Sequence, residues 1–279
     1  MPADIRSLLA AAQSRLPGDS PRLESEVLLA HALARSRSWL YGHLDEQPIR
    51  AAREHFNMLI DARYGGRPIA YLLGQREFWS LPIRITPDVL IPRAETERLV
   101  ELALDRIDNH AGIDVADLGT GSGAIALAIA HERPQVRMLA TDLDAAALAV
   151  ARDNAARLDL AHVEFAAGDW CAALGSRRFD LIVSNPPYVC AEDRHLDQGD
   201  LRFEPRSALV SGDDGLDAIR SIVATAPRHL NPGGWLLLEH GQDQADRVRE
   251  ILHQAAFCEI VTETDLAGKD RVSLGRTTS

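Results

Sequence analysis

Cysteine is scarce in this 279-residue sequence, and clustered metal ligands are missing. The three cysteines, Cys171, Cys190 and Cys258, lie far apart along the chain. This spacing is neither a disulfide framework nor a zinc-binding pattern, so it favours an intracellular protein. The ten histidines form no H-x-x-x-H pair and no cluster with cysteine. We therefore expect no metal site.

Long apolar runs and an excess of positive charge are missing as well. No apolar run is longer than residues 124–130, and a membrane-spanning helix needs roughly 20 residues. Residues 1–10 lack a signal-peptide core, so we expect a cytoplasmic protein without membrane contact. The net charge of -11, from 41 acidic and 30 basic residues, argues against a large surface that binds nucleic-acid phosphates.

The length and the hydrophobic content of 46% suit two domains with sizeable cores. Residues 1–73 have helical apolar spacing, and we predict a helical domain there that docks the substrate. Ser20 is a plausible N-cap of its second helix, and Pro48 opens a third. Residues 74–92 have strand composition interrupted by prolines, which predicts a β-hairpin linker.

Residues 93–279 alternate between strand and helix patterns. Strands are predicted at 113–118, 136–141, 163–166, 179–183, 235–239, 259–263 and 272–274. Helices are predicted at 98–106, 124–131, 144–158, 218–230 and 243–254, and residues 231–234 are a predicted turn. This alternation predicts an α/β domain with a mostly parallel, Rossmann-like sheet and helices on both faces.

The motif Asn185, Pro186, Pro187 and Tyr188 follows a predicted buried strand. Two prolines stiffen the chain here, so Asn185 lies at the carboxyl end of a strand, where open α/β sheets bind ligands. The Asn185 amide and the Pro186 carbonyl offer acceptors, and Tyr188 offers an aromatic face. This set suits a planar group that carries an NH2. A proline-stiffened turn with a solvent-exposed asparagine explains the motif alone equally well.

Polar and glycine residues also follow three other predicted strands. After the first come Asp117, Gly119, Thr120, Gly121, Ser122 and Gly123, after the second Asp142, and after the third Asp169 and Trp170. A glycine-rich loop is weak evidence alone, but an aspartate before it disfavours a pyrophosphate and suits a cationic amino group. Asp142 is placed for a ribose diol, and Asp169 with Trp170 for an adenine. Together these groups describe S-adenosylmethionine.

These strand-end motifs resemble class I methyltransferases, and with residues 185–188 they resemble the amino-methyltransferases that act on planar NH2 groups. Residues 67–74, 91–93, 202–209, 214–216 and 239–241 further resemble the PrmC (HemK) family. That family methylates the side-chain nitrogen, N5, of the glutamine in the Gly-Gly-Gln loop of class 1 peptide chain release factors. The resemblance covers the chain from about residue 20 onward, with Ala94 standing where the family often has proline.

The resemblance implies S-adenosylmethionine as cofactor, a release factor as protein partner and an effect on translation termination. It implies catalytic roles for Asn185, Pro186 and Tyr188, and substrate contacts for all four residues of the motif. We expect a monomer. The roles of four residues stay open: Glu95 and Glu97 are first-turn acids or ligand contacts, and Glu204 and Arg206 order a lid or pair on the surface.

Two other functions are compatible with parts of the pattern. A nucleic-acid adenine N6-methyltransferase uses the same Asn-Pro-Pro-Tyr motif. Such an enzyme needs a basic groove, which the acidic composition of this chain does not indicate. A catalytically silent cofactor-binding protein is the second alternative. The intact Asn185 and Asp117 argue against it.

Overall fold

The computed structural model describes residues 3–107 and 112–278. The chain divides into two compact units. The first contains Met1–Gln75 together with Asp197–Phe203, and the second contains Arg76–Leu196 and Glu204–Ser279.

The first unit is helical, as predicted. Its helices are α1 (Ile5–Arg15), α2 (Pro21–Ala32), α3 (Arg37–Gly42), α4 (Arg50–Tyr64) and α5 (Ile69–Leu73). The helices bury an apolar core that includes Leu28, Leu29 and Phe56. Ser20 does occupy the N-cap position of α2, but its side chain makes no capping hydrogen bond. The short helices α3 and α5 were not predicted, because helices of 6 and 5 residues are too short to show a clear apolar periodicity.

The segment Asp197–Phe203 is held to this helical unit by polar contacts. Arg63 Nη1 donates to Asp200 Oδ1 at 3.0 Å, while Arg63 Nη2 donates to Glu24 Oε1 at 2.7 Å. Arg202 Nη2 donates to the Gly65 carbonyl at 2.9 Å. Arg63 and Asp200 are 137 positions apart, so the sequence pattern contains no signal for this attachment.

The predicted hairpin is formed by β1 (Gln75–Phe78) and β2 (Leu81–Arg84), and all of it except Gln75 lies in the second unit. Trp79 and Ser80 form its turn with φ angles of 52° and 59°. Positive φ at both central positions is the geometry of a tight two-residue hairpin turn. The Trp79 backbone N–H donates to Glu97 Oε1 at 2.9 Å. Glu97 is the first residue of a helix, so this hydrogen bond anchors the hairpin turn to that helix.

The main sheet has seven strands in the order β5-β4-β3-β6-β7-β9-β8. Its strands are β3 (Asp114–Leu118), β4 (Arg137–Asp142), β5 (Glu164–Ala167), β6 (Phe179–Ser184), β7 (Leu230–Glu239), β8 (Cys258–Thr264) and β9 (Asp270–Arg276). The helices of this unit are α6 (Glu97–Leu104), α7 (Ala124–Glu132), α8 (Ala145–Arg157), α9 (Asp217–Thr225) and α10 (Ala245–Gln254). The five neighbouring strands β5, β4, β3, β6 and β7 pair in parallel. Strand β9 pairs antiparallel with both β7 and β8. The mostly parallel, Rossmann-like sheet is therefore confirmed.

The predicted turn at residues 231–234 is wrong, because these residues lie within β7. Phe179 pairs with Leu230 and Leu181 with Trp235, so the extra residues of β7 bulge out between these two pairs. Gly233 supplies a φ of 77° there, and Arg276 Nε donates to its carbonyl at 2.9 Å. Proline and glycine, which usually end a strand, here interrupt its pairing without ending it.

Arg63 offers a test of how the segment Asp197–Phe203 is held. The variant Arg63→Ala should accelerate tryptic cleavage after Arg202, because the ion pair with Asp200 and the salt bridge to Glu24 are lost together. Mass spectrometry of timed digests measures the rate. Arg15→Ala is the matched control, since it removes a more exposed ion pair of the same unit, with Asp61. Cleavage after Arg202 at the wild-type rate in both variants would contradict this account.

Candidate active site

A cavity of about 440 Å³ lies in the second unit at the carboxyl ends of the parallel strands. Its volume is typical of sites that enclose a small molecule. The predicted site residues that line it are Gly119, Thr120, Gly121, Ser122, Asp142, Asp169, Trp170, Asn185 and Pro187. Asp117, Gly123, Pro186 and Tyr188 do not belong to its lining. Residues that follow four different strands thus converge on one cavity.

The glycine loop between β3 and α7 approaches the cavity with its backbone. Gly119, Gly121 and Gly123 have φ angles of 70°, 55° and 85°, which other residues rarely adopt. A methyl group on Gly119 would lie 3.0 Å from the ring of Trp170. The loop therefore leaves room beside the indole only because Gly119 has no side chain.

Asp117, at the end of β3, lies fully buried behind this loop. Its Oδ2 accepts hydrogen bonds from the Thr120 hydroxyl at 2.6 Å and from the Ala126 backbone N–H at 3.2 Å. Its Oδ1 has no partner among the described residues. Burial raises the pKa of Asp117 to about 7, against the effect of these two hydrogen bonds. The carboxyl group thus fixes the loop and keeps one buried acceptor without a donor.

Asp142 ends β4 and presents its carboxylate to the cavity. Oδ2 accepts from the Gly121 N–H at 2.8 Å, and Oδ1 accepts from the Asp144 N–H at 2.9 Å. Burial raises the pKa of Asp142, although these hydrogen bonds oppose the rise. Each carboxylate oxygen can accept a second hydrogen bond, so the pair of oxygens can still bind a diol.

An apolar surface adjoins Asp142. Leu143 is 72% exposed and lines the cavity, opposite in character to the aspartates on either side of it. Trp170, another large apolar residue of the lining, has a φ of 43°, an unfavourable backbone angle for a bulky residue. Leu143 was not predicted, although an exposed leucine between two aspartates is the kind of residue that stacks on a flat base.

Asn185 follows β6 and is held in place by a neighbour from another part of the chain. Its Nδ2 donates to Thr96 Oγ1 at 3.2 Å, and its amide oxygen has no hydrogen-bond partner among the described residues. Thr96 also lines the cavity and was not predicted. The arrangement therefore offers one fixed acceptor to a planar donor that enters the cavity.

Tyr188 takes a different place from the one expected. We expected its ring to pack on a substrate amide, but its hydroxyl donates to Glu239 Oε1 at 3.4 Å. Its carbonyl accepts from Gln244 Nε2 at 3.0 Å. Burial is the main cause that raises the pKa of Tyr188. Tyr188 therefore anchors the motif to β7 and to the segment before α10.

Glu204 is buried and joins two segments that border the cavity. Its Oε2 accepts from the Ile91 N–H at 3.0 Å, and its Oε1 pairs with Arg93. Residues 88–90 and Pro92 line the cavity on one side of this contact, and Pro205, Ser207 and Ala208 line it on the other. Of the two roles left open for Glu204, ordering the chain next to the site fits its position. Neither Glu95 nor Glu97 lines the cavity.

In the part of the chain that the structure describes, no helix is long and apolar enough to cross a membrane. Within residues 3–107 and 112–278, no group of three histidine, cysteine or acidic side chains is arranged to hold a metal ion.

Two regions of the chain match models of known protein families. A family model described as methyltransferase small domain matches residues 95–200, and one described as PrmC N-terminal domain matches residues 6–74. A relative from Xylella fastidiosa (strain Temecula1), named release factor glutamine methyltransferase, is 55% identical over 99% of this chain and 98% of its own length. A relative of the same name from Vibrio cholerae is 48% identical, over 99% and 98%.

Solved structures share the fold of most of this chain. A methyltransferase from Pyrococcus furiosus superposes with a TM-score of 0.52 at 18% identity, over 71% of this chain and 90% of its own. A ribosomal protein L11 methylase from Lactobacillus delbrueckii subsp. bulgaricus superposes with a TM-score of 0.50 at 22% identity, over 70% and 84%. At such identities the likeness shows the fold alone.

The buried carboxyl of Asp117 predicts a pH dependence of stability. Its pKa is raised in the folded protein, so its stabilising contribution is complete below about pH 4 and is lost as the pH rises through about 7. Asp117→Asn should therefore gain stability relative to wild type as the pH rises, by on the order of a few kcal/mol at pH 8. Urea unfolding at pH 5 to 8 measures the difference. The exposed Asp243 supplies the control, Asp243→Asn, and a difference independent of pH would refute the prediction.

Proposed function

Because the chain belongs to the family of release factor glutamine methyltransferases, we propose that it methylates the side-chain nitrogen, N5, of a glutamine. The acceptor is the glutamine of the Gly-Gly-Gln motif in class 1 peptide chain release factors, and S-adenosylmethionine is the methyl donor. The observation that carries this proposal is the Asn185 side chain, whose Nδ2 donates to Thr96 Oγ1 at the cavity wall and whose amide oxygen is left unpaired among the described residues. Methylation of release factors by this protein modulates translation termination in the cytoplasm.

The residues of the cavity fit S-adenosylmethionine. When bound, this cofactor supplies an electrophilic methyl group on a sulfonium. Asp142 would accept hydrogen bonds from the ribose hydroxyls, while Leu143 and Trp170 offer apolar faces to the adenine and Asp169 an acceptor to its amino group. The loop of Gly119 to Ser122 would hold the amino-acid part. Behind that loop, Asp117 Oδ1 is a buried acceptor that still lacks a donor, as a site for a cationic amino group requires.

An amide nitrogen is a poor nucleophile, because its lone pair is delocalised into the carbonyl. The barrier to rotation of a peptide bond, about 18–20 kcal/mol, reflects this resonance. Asn185 Oδ1 would accept one N–H of the substrate amide, which directs the nitrogen lone pair toward the methyl group. The expected contact of Pro186 with the substrate is not supported, because Pro186 is buried and does not line the cavity. Asn185 Oδ1 would also stabilise the positive charge that develops on the amide nitrogen during methyl transfer. The nitrogen then releases a proton to solvent, and no residue has to remove it beforehand.

The helical unit is the proposed docking part for the release factor. It is the part of the chain that matches the model described as PrmC N-terminal domain, at residues 6–74, and it contributes no residue to the cavity. A nucleic-acid adenine methyltransferase is the alternative, because adenine also presents a planar NH2 group. The net charge of -11 disfavours it, since nucleic-acid binding draws on clustered basic residues.

A transfer assay separates the two substrates. Tritiated methyl should be transferred to a class 1 release factor, and neither to its variant with alanine in place of the Gly-Gly-Gln glutamine nor to duplex DNA. Transfer to DNA alone would overturn the proposal.

Asp142 tests the cofactor site. Asp142→Ala should weaken S-adenosylmethionine binding by at least about tenfold, roughly 1.4 kcal/mol, because the acceptors for the ribose are lost. Calorimetry on the isolated protein measures this, and Asp243→Ala, at an exposed position outside the cavity, should bind as wild type does. Equal affinity of Asp142→Ala and wild type would exclude the ribose contact.

Asn185 tests the chemical step. Asn185→Ala should lower kcat by about 10² to 10³ with a much smaller change in KM, because its oxygen acts on charge that appears only in the transition state. Asn185→Asp keeps an acceptor and should retain more activity than Asn185→Ala. The measurement is methylation of release factor under saturating cofactor. If both variants stay within about twofold of the wild-type kcat, this mechanism is incorrect.

A further inference from the structure

Two stretches on which the family resemblance rests have no part in the mechanism described above: residues 214–216 and 239–241. Both come together with the Asn-Pro-Pro-Tyr motif at the side chain of Gln244, just before α10. Gln244 is half-buried and does not line the cavity. Any part that it has in function must therefore act through another residue.

The Gln244 side chain uses both ends of its amide. Its Oε1 accepts a hydrogen bond from the Gly241 N–H at 2.8 Å. Its Nε2 donates to the Tyr188 carbonyl at 3.0 Å and, at the longer distance of 3.4 Å, to the Gly215 carbonyl. A carbonyl can only accept and an N–H can only donate, so this orientation of the amide alone satisfies all three partners. Gln244 thus joins three stretches of the chain at one point.

The Gly241 end of this connection is itself held in place. The Gly241 carbonyl accepts hydrogen bonds from His240 Nδ1 at 2.8 Å and from the Gln244 backbone N–H at 3.0 Å. His240 is buried, and its Nε2 is hydrogen-bonded to the Ser273 hydroxyl at 2.8 Å. Through His240 and Ser273, the residue that orients Gln244 is therefore connected to β9.

Gly215 approaches the motif so closely that no side chain fits there. It has a φ of 76°, and a methyl group on it would lie 2.3 Å from the Tyr188 carbonyl oxygen and 2.8 Å from Gln244 Nε2. Asp214 fixes the adjoining backbone, since its Oδ1 accepts from the Leu216 N–H at 3.1 Å. The Tyr188 carbonyl is therefore confined by Gly215 as well as bonded to Gln244.

The chain between the Tyr188 carbonyl and Asn185 is stiff. Pro186 and Pro187 each fix φ at about −65°, and a residue that precedes a proline is restricted as well. At the other end Ser184, the last residue of β6, pairs with β3. Because both ends of this short stretch are held, few backbone torsions remain through which Asn185 can move.

We propose that Gln244 is a positioning residue whose side-chain amide holds the Tyr188 carbonyl and thereby fixes the place of Asn185 at the cavity wall. The consequence for methyl transfer rests on the proposed function, whereas the hydrogen bond and the place of Asn185 do not. The residues expected to bind the cofactor follow β3, β4 and β5. Loss of the Gln244 amide should therefore affect the chemical step and leave cofactor binding intact.

The hydrogen bond to Tyr188 can be observed as a single signal. Of the four tyrosines in the chain, only Tyr188 is followed by a valine. Protein labelled with carbonyl-¹³C tyrosine and ¹⁵N valine therefore gives one tyrosine–valine correlation. In Gln244→Met and in Gln244→Ala the carbonyl carbon of Tyr188 should move upfield, because it loses a hydrogen bond. Gln242→Met, the matched change at a nearby exposed glutamine, should leave the signal in place.

The side-chain amide signals of Asn185 report whether the effect reaches the cavity. They can be assigned in ¹⁵N-labelled protein by their loss in Asn185→Asp. They should shift in both Gln244 variants and stay unchanged in Gln242→Met. Wild-type positions of the Tyr188 carbonyl signal or of the Asn185 amide signals in the Gln244 variants would overturn the proposal. Gln244→Ala decides the question if Gln244→Met does not fold.

Kinetics give a separate test. Gln244→Met should lower kcat for release factor methylation by about tenfold or more, because a small displacement of a group at the reacting centre is costly. KM and the affinity for S-adenosylmethionine should stay within about twofold of wild type. Calorimetry also gives the number of cofactor sites per chain, so that kcat can be referred to folded protein alone.

Two kinetic results would refute the positioning role. One is a wild-type kcat in both Gln244 variants, and the other is an equal loss of kcat in Gln242→Met. A wild-type protein that transfers no methyl group to release factor refutes the proposed function instead. The signals of Tyr188 and Asn185 still decide the role of Gln244 in that case.

Discussion

The parallel pairing of β3 with β6 is the interaction on which the rest of the site depends. It aligns Leu118 with Ser184, and the Ser184 hydroxyl donates to the Leu118 carbonyl at 2.7 Å. The chain leaves both strands at this point, toward the glycine loop on one side and toward Asn185 on the other. Because β4 and β7 pair with these two strands in parallel, Asp142 and Glu239 end at the same edge of the sheet. The proposed cofactor site and the proposed amide-binding site thus meet where the strand order reverses.

Buried carboxyl groups surround this edge, and each has a different task. Asp117 holds the glycine loop, Glu204 joins two segments that border the cavity, and Glu239 lies behind Asn185 and Tyr188. Burying a carboxylate is unfavourable unless it is paired. Glu204 has Arg93 as its partner, whereas Asp117 and Glu239 each keep one oxygen without a donor. Burial therefore raises the pKa of both groups to about 7 and costs the protein stability when they ionise at neutral pH.

Local signals in the sequence predicted much of this structure. Alternating strand and helix patterns predicted the sheet, and a capping aspartate predicted the start of α8, where Asp144 accepts the Ala146 N–H. The strand-end residues were predicted for the same reason, since parallel strands bring their carboxyl ends together. What escaped prediction depends on contacts between distant residues. Thr96 contacts Asn185 across 89 positions, and Glu204 contacts Ile91 across 113. No periodicity or motif in one stretch can reveal such a pair.

The geometry of the reacting centre also limits what it can select. In the proposed mechanism Asn185 Oδ1 recognises a hydrogen on a planar nitrogen, a feature shared by glutamine, asparagine and adenine. Discrimination by at least several kcal/mol requires contacts that only one substrate can make. Selection of a protein or a nucleic acid as substrate must therefore come from residues other than Asn185. The chain runs from Tyr188 into the segment Asp197–Phe203 of the helical unit and returns to the site at Glu204.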